Sequence, residues 1–181
     1  MTGQVWTDWK ALTRFAESGR IAFEREANLW GTLQLADRHE AKVTSSAGQG
    51  RYSVSLDDHV STMRDLSIFH ASILIHTYTL AEFAACDRLA IDSRQAGGIE
   101  VWGTQLLTAN SKSWQDVMDG LQGAVEVAVY RNAFAHGSRV VDAQAAKRLL
   151  AAGSTELGEG DSLKLDHDRL KLFRDRLRSL L

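Results

Sequence analysis

The chain is organised around the stretch VAVYRNAFAHG, which runs from Val127 to Gly137 and ends a long apolar-periodic segment. In an unbroken α-helix, Arg131 and His136 would point about 140° apart, because each residue turns the helix by about 100°. Either the helix ends at His136, which frees the imidazole to turn, or a second copy of the motif supplies the partner. Gly137 favours the first alternative, because glycine just after the last turn is the usual left-handed stop.

Length and composition predict one domain with a sizeable core, since the chain has 181 residues. No run of about 18 apolar residues occurs, so we expect no membrane span. The N-terminal sequence MTGQVWTDWK lacks the order of a secretion signal, and a lone Cys86 cannot form an internal disulfide. We therefore expect a cytoplasmic protein. Proline is absent, which favours helices joined by Gly, Ser and Asn.

The net charge of −2 argues against a general nucleic-acid binder but hides an asymmetry. Residues 1–130 carry 11 basic and 16 acidic side chains, a net charge of −5. Residues 131–181 carry 10 basic and 7 acidic side chains, a net charge of +3. This basic excess suits a polyanion, although a solvated helix face is the simpler explanation. The same two explanations apply to Lys171, Arg174 and Arg178, which share one side of the last predicted helix.

Apolar periodicity predicts an all-α helical bundle. Two long helices are expected at about 4–41 and 57–93 and a third at about 112–136, with short C-terminal helices after them. We interpret residues 1–181 as a single domain. It comprises an N-terminal helix and loop (1–56), core helices that carry the motif (57–137) and a C-terminal helical extension (138–181).

Helix starts and breaks can be placed from local chemistry. Residues 43–55, VTSSAGQGRYSVS, predict a polar, Gly-rich loop with a short strand around Tyr52 and Val54. Asp57 or Asp58 is expected to cap the second helix, and Ser113 with Asp116 resembles a capping box. Further caps are expected at Asp142 and Asp166.

Three titratable side chains in the second predicted helix have competing explanations. His70 and His76 lie six residues apart, which is not ligand spacing on one helix face, so core or boundary positions are favoured. No HExxH motif or Cys–His cluster occurs, and we expect neither a metal site nor a cofactor. Glu82 falls between Leu80 and Phe83, where a carboxylate needs a partner. Arg131 is one candidate partner, and a surface position is the alternative.

Arginine and histidine at short spacing suit metal-independent RNA cleavage, in which the ribose 2′-OH attacks the adjacent phosphate. Histidine can transfer the protons, and arginine presents a charged fork that matches phosphate oxygens. Asn132 could hold the phosphate or fix the tautomer of His136. The simpler alternative is that His136 caps carbonyl groups at the helix end.

The string RNAFAHG, at the end of an apolar helix in an all-helical chain, resembles the HEPN domain family. The hallmark of that family is an Arg followed after four to six residues by a His, often with Asn directly after the Arg. Arg131, Asn132 and His136 match the four-residue form. TYTLAEFAACDRL, from Thr77 to Leu89, is similar to the earlier family helix, where an acidic residue supports the Arg; Glu82 takes that place.

The resemblance covers residues 57–137 well, and the remainder matches only in helical character. It implies a homodimer in which two Arg–His motifs line one cleft that binds RNA. It also implies an endoribonuclease of a toxin–antitoxin, abortive-infection or other antiviral system, with a protein antitoxin or inhibitor as a partner. Toxins paired with minimal nucleotidyltransferases carry a Tyr two residues after the His. Ser138 occupies that position here, so the resemblance does not extend to that subfamily.

The sequence thus predicts a metal-independent endoribonuclease with Arg131, His136, Asn132 and Glu82 in its site. One alternative is a non-catalytic HEPN module that binds RNA or a protein partner through the same cleft. Another is a helical scaffold with no nucleic-acid role.

Overall fold

The computed structural model describes residues 2–34, 39–44 and 52–181. The helices within these ranges are α1 (Thr2–Thr32), α2 (Leu56–Arg64), α3 (Ser67–Leu89), α4 (Ile99–Ala109), α5 (Gly120–Ala135), α6 (Ala143–Ala151) and α7 (His167–Leu180). Strands β1 (Lys42–Thr44) and β2 (Ser53–Ser55) pair antiparallel, with Val43 opposite Val54. The predicted all-α class is confirmed. Of the two residues expected in a short strand, Val54 lies in β2 and Tyr52 precedes it, and residues 45–51 of the predicted loop lie outside the described residues.

The chain divides into two compact units. The motif unit comprises the chain up to Leu12 together with Phe69–Leu181, and the strand unit comprises Thr13–Ile68. In the strand unit, α2 and the second part of α1 bury Ala27, Leu56 and Val60. The Arg–His motif and every residue of the predicted site belong to the motif unit.

Helix α5 forms the centre of the motif unit and packs against α4, α6 and α7. Every residue from Gly123 to Tyr130 is buried. Because GAVEVAVY, residues 123–130, carries only small or apolar side chains apart from Glu126, this part of the helix can be surrounded by its neighbours and is not amphipathic. Glu126, in its middle, is neutralised by Arg176, whose Nη1 donates to Glu126 Oε2 at 2.6 Å.

Helix α7 joins the first turns of α1 to α3 through a buried cation. Arg174 Nη1 donates to Thr77 Oγ1 at 2.9 Å and Nη2 donates to the carbonyl of Trp9 at 3.4 Å. Its guanidinium carbon also lies 5.1 Å from the centre of a Trp9 ring. The prediction that Arg174 lies on an exposed basic face with Lys171 and Arg178 is therefore wrong, because hydrogen bonds and the indole ring make its burial favourable.

Helix ends differ from the predicted bounds where polar side chains compete with the backbone. Helix α1 ends at Thr32 rather than near 41, and the Thr32 hydroxyl donates to the carbonyls of Asn28 and Leu29 at 3.0 Å. Part of the predicted remainder, residues 35–38, lies outside the described residues. The helix predicted at 57–93 is split between α2 and α3, because the Asp65 carboxylate accepts from the Ser67 amide at 3.0 Å.

The predicted caps are mostly confirmed. Asp142 and Asp166 cap α6 and α7. Ser113 and Asp116 do form a capping box, but it belongs to a short 3₁₀ turn, Trp114–Asp116, and α5 begins only at Gly120. Ser55 rather than Asp57 or Asp58 caps α2, with its hydroxyl accepting from the Asp58 amide.

Among the described residues, no helix combines the length and apolarity needed to cross a membrane.

Two neighbouring leucines of α6 test the packing. Leu149 is fully buried and Leu150 is 68% exposed. We expect Leu149→Ala to lower the free energy of unfolding by about 2–5 kcal/mol, because it leaves a cavity in the core. The matched control, Leu150→Ala, should change it by about 0.5 kcal/mol or less. Urea denaturation of both variants measures the difference, and equal losses would contradict this account of the core.

Candidate active site at the end of α5

The last turn of α5 ends in the way its glycine predicts. Gly137 has a φ of +72°, and its amide donates to the carbonyl of Phe134 at 3.2 Å. The Ser138 amide donates to the carbonyl of Ala133 at 3.0 Å, which completes a Schellman motif. His136 is the C-cap residue, so the helix does end at the histidine, the first of the two alternatives considered for the motif.

Arg131 lies where the burial of α5 gives way to solvent. Its Nη1 donates to Asn132 Oδ1 at 2.8 Å, and its guanidinium carbon lies 5.0 Å from the centre of the Tyr78 ring. Burial, followed by the charge of Glu82, raises the pKa of Tyr78 to about 12, so the phenol remains protonated at neutral pH. Within the described chain, the Arg131 Nε is buried without a hydrogen-bond partner.

The side chain of Asn132 contacts its neighbour in the chain, Arg131. Its side-chain oxygen accepts from Arg131, so the amide orients the arginine rather than the imidazole of His136. The amide nitrogen of Asn132 is a hydrogen-bond donor. Arg131 and Asn132 therefore form one unit of hydrogen-bond donors at the helix end.

Glu82 is half-buried and lines the same cavity as Arg131, the candidate partner considered in the sequence analysis. Burial raises the pKa of the Glu82 carboxyl above its ordinary value of 4.5, and the positive charge of Arg131 opposes the rise. Among the described residues the two side chains form no direct ion pair within 4.0 Å, so the charge of Arg131 acts on Glu82 at longer range.

Two adjoining cavities surround the motif. The first has a volume of about 490 Å³ and is lined by Tyr78, Glu82, Arg131 and residues of α4. The second has a volume of about 300 Å³ and is lined by His136, which is exposed, and by the chain from Ser138 to Ala145. Asn132, Gln144 and Arg148 line both cavities. The structure thus brings the four predicted site residues to one continuous region of the motif unit.

Arg148 and Glu100 also belong to this region, although the sequence analysis did not predict them as site residues. Arg148 Nε and Nη2 donate to the two carboxylate oxygens of Glu100 at 2.9 and 3.0 Å. Burial alone would raise the pKa of Glu100, but the hydrogen bonds from Arg148 and the backbone and the charge of Arg148 outweigh it and hold that pKa below 4.5. The two residues lie on different helices, 48 positions apart, and no local motif connects them.

The described residues contain no group of three or more His, Cys, Asp or Glu side chains arranged to hold a metal ion.

Comparison with known proteins adds no relative. The chain matches no protein-family model, no curated protein and no solved structure. The chemistry of the region at the end of α5 therefore has to be argued from its own residues.

The raised pKa of Glu82 predicts how its removal affects stability. A carboxyl with a folded-state pKa above its unfolded value stabilises the fold below the unfolded pKa, and this contribution is lost as the pH rises through the folded pKa. We expect Glu82→Gln to unfold at a higher urea concentration than wild type above the raised pKa and at a similar one below about pH 4.5. Urea midpoints across this pH range are the measurement. A difference that is constant with pH, or that shrinks as the pH rises, would contradict the assignment.

Proposed function

We propose that this protein is a metal-independent endoribonuclease of HEPN type that acts as a homodimer. The observation that carries the proposal is the arrangement at the end of α5, where Arg131 and His136 line adjoining cavities that have Asn132 as a common wall. The unpartnered, buried Nε of Arg131 supports it, because a buried donor of this kind is normally satisfied, and a phosphate oxygen is a suitable acceptor.

In the proposed reaction, His136 transfers protons and Arg131 stabilises negative charge. The ribose 2′-oxygen forms a bond to phosphorus while the bond from phosphorus to the 5′-oxygen breaks, which yields a 2′,3′-cyclic phosphate and a 5′-hydroxyl. His136 transfers protons between the attacking 2′-oxygen, the leaving 5′-oxygen and solvent. Arg131 stabilises the charge that develops on the phosphate oxygens. Asn132 orients Arg131, and Glu82 adjusts the local charge.

Dimerisation would complete the site. Two residues near the larger cavity are apolar and exposed: Val101, which lines it, is 47% exposed, and Phe83, next to Glu82 in the chain, is 62% exposed. A second copy that covers these side chains would bring the His136 of one subunit toward the Arg131 of the other. In this proposal the protein is a toxin or antiviral effector of the cytoplasm, and a protein antitoxin or inhibitor restrains it.

A non-catalytic HEPN module that binds RNA or a protein partner is the alternative function. The charge balance of the larger cavity favours the protein partner, because Glu82 and Glu100 offset Arg131 and Arg148. Such a module would keep the dimer and the cleft but would cut no RNA.

Substitution of the two motif residues tests catalysis. We expect His136→Ala and Arg131→Ala to lower the rate of RNA cleavage by a factor on the order of 10² to 10⁴, because each removes a group that acts in the transition state. His76→Ala is the matched control, since His76 is an exposed histidine of α3 away from both cavities, and it should cleave at the wild-type rate. Chelation with EDTA should not change the wild-type rate. Folded motif variants with wild-type activity would refute the proposal.

Mixed dimers test whether the site is shared between subunits. A dimer of one Arg131→Ala subunit and one His136→Ala subunit has one intact arginine and one intact histidine, on different chains. If the site is composite, the two can meet, and the mixed dimer should cleave RNA well above either parent. Tandem-tagged, co-purified mixed dimers provide the measurement. If they are as inactive as both parents, the arginine and histidine act within one chain.

A further inference from the structure

Arg148 is a second arginine of the region. Unlike Arg131, which bonds to the amide of Asn132, it bonds to a carboxylate, that of Glu100. It lies on α6, is half-buried and lines both cavities. The bidentate pair with Glu100 fixes its guanidinium plane at the junction of α4 and α6. A cation held in this way loses little conformational freedom when it binds a ligand, because its side chain is already ordered.

The donors of Arg148 are not exhausted by Glu100. A guanidinium has five N–H groups, and the two hydrogen bonds to Glu100 use one on Nε and one on Nη2. In the part of the chain that the structure describes, the other three N–H groups donate no hydrogen bond, and Arg148 borders both cavities. They can therefore donate to an anion that enters either cavity.

Gly98 leaves space for this ion pair, because it has no side chain. A Cβ at Gly98 would lie 2.6 Å from Glu100 Oε2 and 3.6 Å from Arg148 Nη2. Any larger side chain at position 98 would displace the carboxylate from the arginine. Glu100 lies in the first turn of α4, where the helix dipole also favours its negative charge.

We propose that Arg148, oriented by Glu100, binds a phosphate of single-stranded RNA that neighbours the phosphate at Arg131. This inference deepens the proposed function and rests on it. Arg131 and Arg148 both line the larger cavity, and Asn132, which bonds Arg131, lies in the wall that the two cavities share, so one strand that enters the larger cavity can contact both arginines. Arg148 is thus a substrate-binding residue whose loss weakens RNA binding more than it slows the chemical step.

The test measures binding of a short single-stranded RNA in which every 2′-oxygen is methylated, since that strand cannot be cut. We expect Arg148→Met to weaken binding about tenfold or more, the value of one charge-assisted hydrogen bond. The slope of log affinity against log salt should fall by about 0.7, the value for one lost phosphate contact on a single strand. Lys147→Met is the matched control, because Lys147 is the exposed neighbour of Arg148 and lines neither cavity. It should keep the wild-type affinity and slope.

A purely structural role for Arg148 makes a different prediction. In that case Arg148→Met and Glu100→Gln would lower the thermal midpoint alike and leave affinity and salt slope unchanged, which would overturn the proposal. If Arg148→Met does not fold, the double variant Glu100→Leu with Arg148→Met removes the pair together and leaves no unpaired carboxylate. Glu100→Gln keeps the cation, so its salt slope should stay at the wild-type value.

Cleavage kinetics separate this inference from the proposed function. Arg148→Met should raise KM with little change in kcat, unlike His136→Ala. If wild type binds the methylated RNA through Arg148 but cuts no RNA, the nuclease proposal fails and the Arg148 site stands. If wild type cuts RNA and Arg148→Met binds as tightly as wild type, the Arg148 site fails and the nuclease proposal stands. If wild type does not bind RNA, the Arg148 site is overturned.

Discussion

The burial of α5 on every side is the constraint on which the motif unit depends. From Gly123 to Tyr130 the helix contributes only to the core, and its one central charge, Glu126, is neutralised by Arg176. Side chains that can meet a ligand are therefore placed where this burial ends, from Arg131 onward. The Schellman stop at Gly137 then turns the chain away and leaves His136 exposed beside the cavity. Chemistry at the end of a buried helix benefits from a rigid support, since the backbone that carries it is held by three other helices.

Several arginine side chains of the C-terminal third are bonded inside the motif unit, which the net charge does not show. Arg174 and Arg176 are held inside the motif unit by Thr77, Trp9 and Glu126, and Arg148 is held by Glu100. The excess of +3 after residue 130 is therefore not a uniform basic surface. Part of it neutralises or crosslinks the core, and the part that lines the cavities lies at Arg131 and Arg148. A local pair of oriented cations suits recognition of a few phosphates better than general attraction to nucleic acid.

The sequence predicted the fold class correctly but only some of the helix ends. The apolar character of α3 and α5 and the caps at Asp142 and Asp166 could be read from the sequence, because local chemistry sets them. The end of α1 and the break between α2 and α3 were not, since they depend on whether Thr32 and Asp65 bond to their own backbone or to solvent. Arg174 was misplaced for a related reason. A charged residue at a helical position looks exposed until the partners that make its burial favourable are known.

The sequence by itself determined the all-α class, the stop at Gly137 and the position of Arg131 and Asn132 in the last turns of α5, because each follows from local helical chemistry. Only the tertiary structure decided that Asn132 orients Arg131, that His136 and Arg131 border separate adjoining cavities, and that Glu100 with Arg148 forms part of their wall. Contacts between α4 and α6 join residues 48 positions apart. Such contacts arise from the packing of helices around α5, and no local pattern in the chain encodes them.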